Sequence, residues 1–140
     1  MKKLFQSAAA AATVLLLAAA LPLRADEALL GNKGLAGQNL DNDSVKAVLL
    51  GKKTTLGSDR VVIVIVKKSE AQDAYLKEHV GMTTDQFQTY WRRLFMTGGG
   101  SAPKEADTEA DAIKLAADTA GAVTIGDSAQ AGSLVVLTSK

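Results

Sequence analysis

The hydrophobic pattern of this chain is clearest in its middle, where one apolar run leads into a polar turn. Residues 61–66 are six Val and Ile residues, types that favour strands. A run this short and uniformly apolar predicts a strand covered on both faces, as in an α/β sheet. Lys67 and Lys68 follow, and Ser69 then opens a helical pattern in which Gln72 completes a capping-box spacing. The pattern predicts a buried strand, a short basic turn and a helix start.

Two further helices lie on either side of this unit. Before the strand, Asn42 or Asp43 can cap a short helix that ends near Gly51. After it, a helix that opens at Thr83 or Thr84 has the strongest apolar stripe of the chain. The members of that stripe are Phe87, Tyr90, Trp91, Leu94 and Phe95.

The remaining elements set the class of fold. Residues 26–38 predict a weak strand and a loop, and Thr108 with Asp111 opens a third helix beyond the central unit that ends near Gly121. Two short strands, 122–125 and 133–137, close the chain. Helices that follow a buried strand and lead into further strands indicate an α/β or α+β domain.

The first 25 residues have the layout of a secretory signal peptide. Lys2 and Lys3 precede an apolar run from Ala8 to Leu21, and the small residue Ala25 is a plausible cleavage point. We therefore expect a mature periplasmic domain over 26–140, with no stable membrane span after cleavage. An uncleaved N-terminal anchor is the alternative interpretation.

Charge and composition exclude several classes of function. Without the first 25 residues, 13 basic and 15 acidic residues remain, a formal charge of −2, so no basic tract for nucleic acid is expected. The chain has no cysteine, which excludes a thiol nucleophile and a thiolate metal site. The lone histidine, His79, has no carboxylate at a telling spacing, and the acids of 105–111 lack the pattern of a calcium loop. We expect no catalytic residues, no cofactor and no metal.

The polar turn after the predicted strand suits an anion. The first N–H groups of a helix have no intrahelical partner, and the helix dipole favours negative charge there. Two lysines add positive charge, and the Ser69 hydroxyl can donate to an oxyanion when it is not occupied as the cap. The candidate ligand-binding residues are Lys67, Lys68, Ser69, Glu70, Ala71 and Gln72. A simple capped helix start is the alternative interpretation.

Four segments in order give the chain a family resemblance: VLLGKK, VKKSEAQDAYL, YWRRLFMTGGG and TAGAVTIGD. Over 40–127 the chain resembles the small phosphate ABC transporter substrate-binding-like proteins of the type II periplasmic binding fold. The resemblance implies an α/β fold, a single-lobe periplasmic-binding-protein-like domain with a central mixed sheet flanked by helices. It also implies a periplasmic address, phosphate or a related oxyanion as ligand, a link to ABC-type phosphate transport, and no catalysis.

Only part of the anion-binding turn of that family is present. Full-length phosphate binders have a Ser-Gly-Thr turn after an arginine, whereas this chain has KKSEAQ, so Ser69 alone matches. Glu70 places a carboxylate near the expected anion. Two hypotheses follow: a periplasmic oxyanion-binding protein with a transporter as its partner, or an interaction module of an envelope complex that keeps the fold without the ligand. An exposed apolar patch between Tyr90 and Met96 would favour the second hypothesis.

Overall fold

The computed structural model describes residues 27–98 and 101–138, and the predicted signal peptide and its cleavage site lie outside them. The strands in this part of the chain are β1 (Glu27–Gly31), β2 (Thr55–Leu56), β3 (Asp59–Arg60), β4 (Val62–Val66), β5 (Lys104–Ala106), β6 (Ala122–Asp127) and β7 (Val135–Val136). The α-helices are α1 (Asn42–Leu49), α2 (Glu70–His79), α3 (Thr84–Met96) and α4 (Glu109–Asp118). None of these helices is long and apolar enough to cross a membrane.

The main sheet has five strands in the order β5-β4-β6-β1-β7. β4 pairs in parallel with β5 and β6, whereas β1 runs antiparallel to β6 and β7. β2 and β3 form a separate hairpin. The predicted mixed α/β sheet is confirmed. The sequence pattern missed β5 and the hairpin, because strands of three and two residues are too short to show a period.

The two faces of the sheet bury two different clusters of side chains. Successive residues of a strand point to opposite faces, so Ile63 and Ile65 join the cluster with α1, α2 and α3. Val64 and Val66 join the other cluster, which includes Ala112 of α4. Each such burial contributes about 1.5–3 kcal/mol relative to an exposed side chain. β4 is thus covered on both faces, as its uniformly apolar sequence predicted.

The order of the strands places the carboxyl end of β4 at a special point of the sheet. The chain leaves β4 through α2 and α3 to reach β5 on one side, and then crosses back through α4 to β6 on the other side. The connection that leaves β4 packs on one face of the sheet and the connection that leaves β5 packs on the other, so they diverge at the neighbouring carboxyl ends of these two strands. In open α/β sheets, ligands bind at such switch points.

Each α-helix begins at a residue whose side-chain oxygen accepts a backbone hydrogen bond. The caps predicted at Ser69 and Thr108 are confirmed. Of the two predicted starts of α3, Thr83 is the cap, and it forms a reciprocal capping box with the residue three places on. The cap predicted at Asn42 or Asp43 is wrong. Asp41 has the extended backbone of a cap and accepts from the N–H of residue 44 at 2.8 Å, whereas Asn42 is already helical.

Aromatic residues of α3 attach this helix to the end of α1. The Trp91 indole Nε1 donates to the carbonyl of Leu49 at 3.0 Å, and the Tyr90 hydroxyl donates to the carbonyl of Leu50 at 2.6 Å. Gly51 adopts a φ of 78° there, and a Cβ on it would lie 2.6 Å from the Trp91 ring. The predicted stripe is buried at Trp91, but its last member, Phe95, is 55% exposed.

Candidate functional site

The turn from β4 into α2 is fixed at both of its ends. The backbone N–H of Lys67 donates to the carbonyl of Ala106 at 2.9 Å, which extends the pairing with β5 by one bond. Ser69 then adopts an extended backbone, and its Oγ accepts from the N–H of Gln72 at 3.1 Å. The turn between these two bonds lies at the switch point of the sheet.

Gln72 performs a different role from the one that its spacing predicted. Its side chain is 1% exposed and does not reach back to the Ser69 N–H, so the predicted capping box is wrong. Its Oε1 accepts from the N–H of Val66 and its Nε2 donates to the carbonyl of Val66, both at 2.9 Å. Pairing of β4 with β6 ends at Val64, so the amide of Gln72 satisfies backbone groups that no strand reaches.

The same region holds the start of α3 in place. The Gln72 Nε2 also donates to the Oγ1 of Thr84 at 3.1 Å. The neighbouring Asp73 accepts from the N–H of Thr84 at 2.7 Å, and these hydrogen bonds from Thr84 lower the pKa of Asp73. The inner side of the turn is therefore sealed by hydrogen bonds, and a ligand can approach only from the outer side.

On the outer side, donors remain at the start of α2. Within the described residues, the backbone N–H groups of Glu70 and Ala71 have no intramolecular acceptor. The Ser69 Oγ acts as an acceptor for its cap, so its O–H hydrogen is still able to donate to an anion. The N–H of Gln72 is occupied by that cap. Three donors of the predicted set are therefore available to a ligand. They are the N–H groups of Glu70 and Ala71 and the O–H of Ser69.

The two lysines of the turn differ in their surroundings. The Nζ of Lys67 lies 3.0 Å from the Oδ1 of Asp107, the residue after β5. The hydrogen bond to Asp107 and its charge raise the pKa of Lys67 above its ordinary value. Lys68 is exposed, and its side chain forms no ion pair with the described part of the chain. Lys68 is therefore the lysine that is available to a ligand.

Three carboxylates outside the predicted ligand set lie along the same edge of the sheet. Glu27 begins β1 opposite Asp127 at the end of β6, and a Glu109 carboxylate oxygen accepts from the Asp127 N–H at 3.3 Å. Both oxygens of Glu27 are buried and have no hydrogen-bond partner among the residues that the structure describes. Burial, followed by the charges of Glu109 and Asp127, raises the pKa of Glu27 to about 7. Because these residues come from three separate segments, only the sheet topology brings them together.

His79 has structural contacts rather than a catalytic constellation. Its Nδ1 lies 2.7 Å from the Oδ1 of Asn42, and its ring centroid lies 4.2 Å from that of Tyr75. It is half-buried. In residues 27–98 and 101–138, no group of three His, Cys, Asp or Glu side chains is arranged to hold a metal ion.

Comparison with solved structures supports the fold. A phosphate ABC transporter substrate-binding protein with bound phosphate from Clostridium perfringens superposes with a TM-score of 0.59 at 14% identity, covering 79% of this chain and 43% of that chain. An ABC-type phosphate transport receptor from Vibrio cholerae gives a TM-score of 0.50 at 11% identity, covering 79% of this chain and 44% of that chain. No protein-family model and no curated protein matches this chain. The chain therefore has the fold of periplasmic binding proteins and spans less than half the length of these two.

Replacing Gln72 tests whether its amide holds the turn together. We expect Gln72→Leu to lower the free energy of unfolding by about 2–4 kcal/mol, because the N–H and C=O of Val66 would stay buried without partners. Urea unfolding followed by circular dichroism measures this change. Gln130→Leu, at an exposed position, is the matched control and should change the stability by less than about 0.5 kcal/mol. Equal effects of the two substitutions would contradict this role.

The buried carboxyl of Glu27 predicts a pH dependence of stability. The fold raises its pKa from the ordinary value of 4.5 to about 7, so the folded state binds this proton more tightly. The free energy of unfolding should fall as the pH rises through this interval, because the charged form is the one that burial disfavours. Thermal unfolding across the interval should show a flatter dependence in Glu27→Gln than in the wild type. The exposed Glu105→Gln should keep the wild-type slope, and an unchanged slope in Glu27→Gln would contradict the prediction.

Proposed function

We propose that this chain is a single-lobe periplasmic protein that binds phosphate or a related oxyanion weakly at the start of α2. The observation that carries the proposal is the pair of N–H groups of Glu70 and Ala71 at the switch point of the sheet, which have no acceptor in the described part of the chain. The structural neighbour with bound phosphate supports it, because the fold is shared. The ligand set is the two N–H groups, the Ser69 hydroxyl and Lys68.

The balance of charges around this turn keeps the expected affinity low. The helix start offers roughly half a positive charge, and Lys68 adds a solvent-exposed cation. Negative charges oppose the binding of an anion here. They are the carboxylate of Glu70, Asp107, which pairs with Lys67, and the acidic residues at the end of β6 and the start of β1. A single lobe leaves the anion in contact with water, where charges are screened. We expect a Kd of about 1 mM for phosphate, which corresponds to about 4 kcal/mol of binding free energy.

The proposed address and partner follow from the same reasoning. Residues 1–25 have the pattern of a signal peptide, which fits a periplasmic protein whose mature domain is 26–140. A component of an ABC-type phosphate transport system is the candidate partner, because the two structural neighbours are named for that role. The proposal includes no catalytic step, no cofactor and no nucleic acid.

Calorimetric titration of the mature domain with phosphate, sulfate and methylphosphonate tests the proposal. We expect Glu70→Gln to strengthen phosphate binding about threefold to tenfold, because it removes a like charge beside the anion. Glu78→Gln is the matched control, since it makes the same change of charge in the last turn of the same helix. Lys68→Gln should weaken binding. The absence of heat with all three anions at about 10 mM, a concentration well above the expected Kd, would overturn the proposal.

A second candidate function is supported by one observation. Phe95 and Met96, in the last turn of α3, are 55% and 78% exposed, and the neighbouring Arg92 and Arg93 are exposed as well. Exposed apolar side chains with a basic surround are typical of a protein-binding surface. The alternative function is therefore an interaction module that docks through the end of α3 onto an envelope protein with an apolar and acidic surface.

Photocrosslinking in intact cells tests this alternative. A photoreactive amino acid at the position of Met96 should give one discrete product with an envelope protein, whereas the same amino acid at the exposed Lys114 of α4 should give none. The product should be lost when Arg92 and Arg93 are both replaced by Glu. The absence of a discrete product at position 96, or the same product at position 114, would contradict the alternative.

A further inference from the structure

A cavity of about 240 Å³ lies at the amino end of β4, on the edge of the sheet opposite the α2 turn. It opens beside the first residues of β4 and β5, Val62 and Lys104, and is closed from the side by the segment between α1 and the hairpin. β4 has five residues, so at about 3.3 Å per residue its first and last Cα atoms are separated by about 13 Å. The cavity and the proposed oxyanion turn are therefore separate places on the molecule.

The charged side chains that line this cavity are all cationic. They are Lys53, Arg60 and Lys104, and Thr54 and Ser101 add hydroxyl groups. Among the described residues, none that lines the cavity is acidic, and none of the three cations forms an ion pair. We therefore expect an attractive potential for anions here, in contrast to the carboxylate-rich edge at the other end of the strands.

The acidic neighbours of these cations in the sequence are directed elsewhere. Glu105 follows Lys104 along β5 and lines a neighbouring cavity, which shares Trp91 and Ala102 with this one. Asp59 precedes Arg60, and its side chain lies beside Gly34 and Gly121. Alternation along the two strands thus separates each acid from its basic neighbour. The three cations of the cavity outnumber the Glu105 carboxylate in the adjoining one, so the local charge stays positive.

The floor of the cavity is apolar and aromatic. Val48, Ile63 and Trp91 are buried residues that contribute to its wall. The Trp91 ring is held by its hydrogen bond to the Leu49 carbonyl, and the edge of the ring lies against Gly51, which has no Cβ. A rim of cations above an aromatic floor suits a ligand with an anionic group and a flat apolar body.

We propose that this basic cavity binds a small organic anion, a phosphate monoester or carboxylate attached to an aromatic or aliphatic body. The cations and hydroxyls hold the anionic group, and the apolar body packs against Trp91 and Ile63. Inorganic phosphate has no apolar body, so it gains only the screened attraction of exposed cations. This proposal is independent of oxyanion binding at the α2 turn.

The fluorescence of Trp91 offers a direct measurement, because it is the only tryptophan in the chain. We expect phenyl phosphate and benzoate to change its emission in a saturable way. Phenyl phosphate should bind at least about tenfold more tightly than inorganic phosphate, and neutral phenol should bind more weakly than phenyl phosphate. Raising NaCl from about 20 mM to about 300 mM should weaken the binding of both organic anions, because salt screens the cations.

Substitutions locate the binding on the molecule. Arg60→Gln and Lys104→Gln should each weaken phenyl phosphate binding by about threefold to tenfold, whereas Lys114→Gln on α4 should leave it unchanged. Thermal unfolding of each variant shows that the change is not a loss of fold. Glu70→Gln should alter phosphate binding at the α2 turn but not phenyl phosphate binding, which separates this proposal from the proposed function.

Two results would overturn the proposal. One is the absence of both a fluorescence change and calorimetric heat with phenyl phosphate and benzoate at about 10 mM, a concentration that detects even weak binding. The other is binding whose affinity is the same in the wild type, Arg60→Gln and Lys104→Gln, because the cations would then have no part in it.

Discussion

The hydrogen bonds between the Gln72 amide and Val66 are the constraint on which the proposed oxyanion turn depends. β6 stops pairing with β4 at Val64, so the last backbone groups of β4 would be buried without partners. A side-chain amide carries an N–H donor and a C=O acceptor, as each residue of a neighbouring strand would. The amide of Gln72 therefore takes the place of the missing strand and pairs with both backbone groups of Val66. The same amide binds Thr84, so the end of β4, the start of α2 and the start of α3 share one point of attachment. The orientation of the Glu70 and Ala71 N–H groups follows from that attachment.

Charge is distributed unequally between the two ends of the parallel strands. The carboxyl end combines Glu27, Asp107, Glu109 and Asp127 with the lysines of the turn. The amino end carries cations around an apolar floor. In two-lobed binding proteins a second lobe excludes water from the ligand, which strengthens electrostatic attraction. On the lobe that the structure describes, recess and apolar contact supplement electrostatic attraction at the amino end.

The sequence predicted those features that depend on local patterns. β4 followed from its uniform apolar run, and Ser69 and Thr83 followed from capping chemistry, because each depends on neighbours within a few residues. The role of Gln72 could not be predicted, since its partner Val66 becomes available only where β6 turns away. The acidic edge was missed for a similar reason, because Glu27 and Asp127 are 100 residues apart and meet through antiparallel pairing. The six predicted ligand residues lie in the turn after β4 and at the start of α2. Gln72 faces inward, however, and Lys67 pairs with Asp107.

The outermost strand, β5, has a consequence for the behaviour of the chain in concentrated solution. An edge strand presents unpaired backbone groups to which another chain can add, and this leads to aggregation. β5 has only three residues, its first two are the exposed and charged Lys104 and Glu105, and Pro103 before it has no N–H to donate. At the other edge, β7 has two residues. Both borders of the sheet are therefore poor templates for a further strand, which protects a protein that has no disulfide bond to restrict its opening.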